Sequence, residues 1–180
     1  MESSRQMPRV SLFTVLFCLC LFGCSPSPGP VAWKADKFVF SDFRVFHIQP
    51  VINATGHHVM QDTLTFLHRS LRQQFVARNL QIIDGRQTGN DVLVVQTELL
   101  NYKFQYFTGP PPPSGNIIGR CILRTRLIQE TTGVVVGEII TTNQVDVGRG
   151  LLEAKSPDSL LQGSAAQVAR EVAKMRGPHD

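Results

Sequence analysis

Nowhere in the 180 residues is there a Gly-Xaa-Ser-Xaa-Gly elbow, a Walker phosphate loop or a glycine-rich dinucleotide fingerprint. The sequence signatures of serine hydrolases, phosphate-loop nucleotidases and dinucleotide-dependent oxidoreductases are therefore missing. The carboxylates Asp42, Asp84, Asp91, Glu98 and Glu138 are scattered, and no two are spaced to work as an acid–base pair. Cysteine is scarce: three of the four lie at or before position 24, which leaves Cys121 alone and excludes an internal disulfide. Charge of one sign is also lacking. The whole chain carries +4, and loss of Arg5, Arg9 and Glu2 with a leader lowers this to +3. That excess is too small and too dispersed for nucleic acid.

What is present begins with the first 24 residues. Arg5 and Arg9 precede an apolar run, Val10–Phe22, and the composition switches after Cys24 to Ser25-Pro26-Ser27-Pro28-Gly29-Pro30. A basic start, a short apolar core and a small residue before a cut site make a secretory signal. The run is 13 residues long, short of the roughly 20 that span a bilayer as a helix. Leu21, Gly23 and Cys24 resemble the lipobox of bacterial lipoprotein signals, with Phe22 a departure from the usual smaller residue. The resemblance implies cleavage before Cys24, lipidation of that cysteine, and a palmitoylated lipoprotein of the cell envelope. Ser25 after it, with no retention aspartate, resembles the class sorted to the outer membrane, facing the periplasm; the inner membrane is the alternative. Residues 1–23 are then signal peptide, 24–36 a lipidated cysteine with a proline-rich tether, 37–176 one domain and 177–180 a tail.

Within the domain, Phe38–Phe46 is aromatic and β-branched and predicts a strand. Met60, Leu64, Leu67, Leu71 and Phe75 recur at helical spacing and predict an amphipathic helix over about His57–Arg78. Leu80–Asp84 predicts a short strand. Asp91–Phe107 is the longest strand candidate, apolar on both parities at Val92–Val95 and alternating beyond. Pro110–Pro113 interrupts the chain as a loop. Ile117–Gln129 and Val134–Val147 then form a hairpin across Thr131-Thr132-Gly133. Ser156-Pro157-Asp158 opens a last helix with a cap, a proline at the first position and an acid in the first turn. Leu161, Ala165, Val168, Val172 and Met175 supply its apolar face. The expected fold is α+β: one mostly antiparallel sheet of about five strands, with two helices packed on one face.

Arg120, Arg124 and Arg126 share a strand parity opposite to Cys121, Leu123 and Leu127. Pairing Asp91–Phe107 with this strand so that opposed residue numbers sum to an odd value sets Tyr102 and Phe104 against the cysteine–leucine row. Lys103 then meets the arginines, whereas an even sum buries Lys103 among leucines at a cost of several kcal/mol. The odd register leaves one basic sheet face, on which Lys103, Arg120, Arg124 and Arg126 are the candidate partner surface, with Glu138 a possible cross-strand counterion. Cys121 reads as a small buried hydrophobe. His58 and Asp62, four apart beside His57 and His68, are the one grouping with metal-ligand residues. No third ligand is spaced to close a tetrahedron, so no metal and no cofactor is expected.

The opening strand Phe38–Phe43, the amphipathic helix, Asn90–Val95 and the Thr132-Gly133 hairpin before Val134–Glu138 resemble small bacterial envelope lipoproteins with an uncharacterised domain. The same layout is similar to activator lipoproteins of penicillin-binding proteins, the curli-secretion lipoprotein and the TolB amino-terminal domain. These resemblances imply a non-enzymatic adaptor or assembly component, bound to the membrane through its lipid and to an envelope protein partner. Two alternatives stand beside it. One is the auxiliary lipoprotein of an ABC-type lipid transporter; the other is a small metal-binding or hydrolytic protein using the His57/His58/Asp62 region.

Overall fold

The computed structural model describes residues 29–36, 38–85, 89, 91–107, 116–146 and 156–177. The signal segment, Cys24, the tetraproline loop and the tail from Pro178 lie outside the described residues. Seven strands form one sheet: β1 (Val31–Lys34), β2 (Val45–Ile48), β3 (Ile52–Asn53), β4 (Gln81–Ile82), β5 (Val92–Phe107), β6 (Asn116–Gln129) and β7 (Val135–Asp146). Two α-helices, α1 (Gln61–Val76) and α2 (Pro157–Arg176), complete the order of elements among the described residues. The strands lie in the order β1-β7-β6-β5-β2-β4, with β3 also paired to β5.

The α+β class and the single helical layer are as expected; the sheet is larger and mixed. The long ladders β5/β6, β6/β7 and β1/β7 are antiparallel, whereas β2 pairs in parallel with both β4 and β5, and β3 in parallel with β5. Parallel neighbours need a crossover, and α1 supplies it between β2 and β4. Two strands were not expected, β1 and β3. Val31–Lys34 lies in the segment assigned to the tether, yet it pairs along β7 from Val31↔Ile140 to Lys34↔Gly137. Its alternation is invisible in sequence because all four residues are exposed. Phe38–Phe46 is not one strand. A 3-10 turn at Phe40–Asp42 comes first, and pairing starts only at Val45. The turn buries Phe40 and Phe43, with the Phe38 ring stacked on Phe43 at 4.8 Å. The aromatic run thus caps the core instead of extending the sheet.

Helix α1 starts at Gln61, later than the expected His57. Met60 precedes its first turn and is exposed, while Leu64, Leu67, Leu71 and Phe75 are buried as the periodicity required. Helix α2 matches its sequence signals. The Ser156 hydroxyl accepts from the Ser159 amide at 3.3 Å, Pro157 opens the helix, and Gly177 ends it at φ 82°. Ala165, Val168, Ala169 and Val172 are fully buried against the sheet. Asn143 of β7 donates its amide to the Leu160 carbonyl at 2.9 Å. A Cβ on Gly163 would come within 2.5 Å of that amide nitrogen, so a side chain there would displace the Asn143 amide from this bond.

The β5/β6 register changes halfway. From Leu93↔Gln129 to Leu99↔Leu123 the opposed numbers have an even sum, and from Asn101↔Ile122 to Phe107↔Asn116 an odd one, with Leu100 as the extra residue. The odd register expected for the whole hairpin holds only beyond Leu100. Apolar residues explain the break. Leu93, Val95 and Leu99 are core residues on odd positions, whereas Tyr102 and Phe104 pack on the core from even positions. A bulge that inserts one residue is the way a strand changes phase without burying its polar side. Both apolar sets then reach the helices, and Lys103 stays on the opposite face.

Candidate functional site: the open face of the sheet

The helices cover one face; among the described residues the other is open, and it carries Glu98, Lys103, Arg120, Arg124, Arg126 and Glu138. At its centre Glu98 of β5 lies opposite Arg124 of β6. Arg124 donates through Nε to Glu98 Oε2 at 2.9 Å, with a second, shorter bond from Nη2 to the same oxygen. Arg126 donates to Glu98 Oε1 at 3.3 Å and reaches Glu138 Oε2 of β7 at 3.4 Å. Glu98 is the most enclosed member, its side chain 13% exposed against about a third for the two arginines. Its bonds stabilise the charged guanidinium and raise the pKa of Arg124. The expected counterion Glu138 is in place. Glu98, left among scattered carboxylates by the sequence, is the hub of the network, and only the even register of Leu93–Leu99 puts it opposite Arg124.

The four expected basic residues therefore separate into two pairs. Arg124 and Arg126 are half-buried and neutralised. Lys103 and Arg120 face each other directly across β5 and β6, with Gln144 next in line on β7. Both are exposed, and neither has an ion pair among the described residues. They line a shallow pocket with Asn101, Gln105, Ile118 and Gln144. Asn101 Oδ1 is buried there without a hydrogen-bond partner.

The histidines do not converge. His57 and His58 are exposed in the turn before α1, so His58 and Asp62 do not share the helix face expected of them. His57 is held in a local loop network, in which Asn53 donates to its carbonyl at 2.9 Å. His68 lies 3.2 Å from the Gln49 carbonyl through Nδ1, and burial lowers its pKa. No group of three potential metal ligands occurs among the described residues. Cys121 is fully buried under Ser164, and burial pushes its thiol up to about 11, the environment of an inert packing residue. A cavity of about 770 Å³ lies between the end of α1 and β4. Arg69, Arg72, Val76 and Leu80 line it with no acid or nucleophile among its walls, so it brings no catalytic pair together.

These features define a class by architecture alone: a mixed seven-stranded sheet with two helices on one face and an exposed, charged second face. No protein-family model matches the chain, and no curated protein matches it in sequence. Solved structures do share the fold. A PelC dodecamer from Paraburkholderia phytofirmans superposes with a TM-score of 0.53 at 12% identity, over 77% of this chain and 95% of that one. The hypothetical protein CT253 from Chlamydia trachomatis gives 0.50 at 14% identity, over 75% and 96%. At these identities the likeness concerns the fold.

Proposed function

We propose that the chain is a lipid-anchored, non-enzymatic envelope protein that acts as an adaptor or assembly component, held at the outer membrane through Cys24 and facing the periplasm. One observation carries the proposal. Among the described residues, the helical layer covers one sheet face, whereas nothing covers the other, which displays Lys103 and Arg120 with no counterion. Like charges directly opposite one another on a sheet are unfavourable, and an acidic surface on a protein partner would relieve them. The signal-like leader supplies the address, and the dodecameric state of PelC supports an assembly role for a domain of this shape.

Two measurements test the proposal. Palmitate labelling should mark the wild-type chain and not Cys24→Ser, and only the wild type should enter the detergent phase on extraction. In crosslinked envelopes, the double change Lys103→Ser, Arg120→Ser should sharply reduce co-purification of a partner while leaving the domain folded. Undiminished recovery would reject the docking role, and an unlabelled wild type would reject the anchor.

A further inference from the structure

The outer margin of the open face carries an apolar cluster that the Lys103/Arg120 surface does not use. Val31 and Trp33 alternate on edge strand β1, opposite Ile140 and Glu138 of β7. With Val135 they line one shallow groove. Trp33 is 54% exposed and Val31 66%, although Val136 and Ile139 beside them are buried. Single exposed apolar residues are ordinary; a contiguous group on a sheet margin marks a contact surface. Among the described residues Glu138 is the only carboxylate lining the groove, and its charge is met by Arg126, so they bring no free negative charge to it.

The position of the cluster in the chain identifies its occupant. Val31 follows Cys24 by seven residues, a reach of at most roughly 25 Å even fully extended. A lipid on Cys24 therefore confines β1 to the neighbourhood of the bilayer. At such confinement a weak contact is sufficient, because the second attachment is intramolecular. We propose that Val31, Trp33, Val135 and Ile140 rest on the lipid surface, with the indole at the boundary between headgroups and acyl chains. Tryptophan favours that boundary because its ring is apolar while its N–H needs a polar partner. Headgroup water there also satisfies the unpaired backbone groups of the β1 edge, which hydrocarbon would not. The contact rests on the anchor proposed at Cys24, and it orients the domain with its β1 margin on the membrane and its Lys103/Arg120 end outward.

Trp33 is the only tryptophan in the chain, so its emission reports this site without any substitution. The processed, lipidated protein is reconstituted into vesicles of phosphatidylethanolamine and phosphatidylglycerol, and flotation is scored before fluorescence. Bromine on the upper acyl chains should quench most of the Trp33 emission, and aqueous iodide should quench little. Protein that floats but remains open to iodide and insensitive to bromine overturns the lipid contact and leaves the anchor intact. Protection from both quenchers also overturns it, and indicates that a second copy or another protein covers the groove. Protein that does not float at all refutes the anchor and the contact together.

Discussion

The two faces of this sheet are built from the same strands and obey different rules. On the covered face Leu93, Val95, Leu99, Leu123, Leu127 and Ile139 are fully buried beneath both helices. On the open face the same strands display Glu98, Arg120, Arg124, Arg126 and Glu138 at intermediate or full exposure. Apolar burial, at about 25 cal/mol per Å², makes the first face the source of stability. The second is organised by charge, where a pair contributes little in water. The covered face therefore tolerates little substitution, whereas the open face can vary without unfolding the domain. A surface with that freedom is one on which binding specificity can be carried.

The largest effects should come from the covered face. Val168→Asp places an unpaired charge against the sheet and should leave little folded protein, because burial of an uncompensated ion costs several kcal/mol. Leu67→Ala should lose about 2–5 kcal/mol through the cavity it leaves. Urea midpoints close to wild type in both variants would show that the two helices are not the main cover of the core.

Next is a pH effect confined to the same face. The Cys121 thiol ionises only near pH 11 in the folded protein, above its ordinary value of 9.0. The unfolded chain releases this proton first, so the contribution is fully present below pH 9 and declines as pH rises towards 11. Its size is on the order of 3 kcal/mol. Cys121→Ala should make the alkaline loss of stability shallower between those values. Denaturation curves of equal slope in the two proteins across that range would contradict the burial-driven shift.

The open face should respond less, and differently at its two ends. Glu98→Ala leaves Arg124 and Arg126 without their shared acceptor and should cost about 1–2 kcal/mol, read as a lower thermal midpoint. At the other end, Lys103→Ser with Arg120→Ser should change stability by no more than about 0.5 kcal/mol. A slight gain is favoured, since a like-charge cross-strand pair is removed. If the two ends respond alike, the division between a structural ion network and an unneutralised surface is incorrect.

Sequence alone was sufficient for several features because their causes are local. The Ser156-Pro157-Asp158 start of α2 is decided by capping hydrogen bonds within one turn. The buried stripe of α1 follows from helical period, and Cys121 is grouped with leucines by strand alternation. That Lys103 shares a face with the arginines also follows, because burying a cation is expensive whatever else surrounds it; which arginine lies opposite it does not. What only the tertiary structure decided depends on pairings between distant segments. Val31–Lys34 is a strand because β7 has a free edge, and Val45–Ile48 runs parallel to β5 because α1 carries the chain back across the sheet. Glu98 becomes the hub of the ion network through one extra residue at Leu100. That bulge turns two apolar sets of opposite parity toward the same helices, and neither set by itself reveals that the phase must change between them.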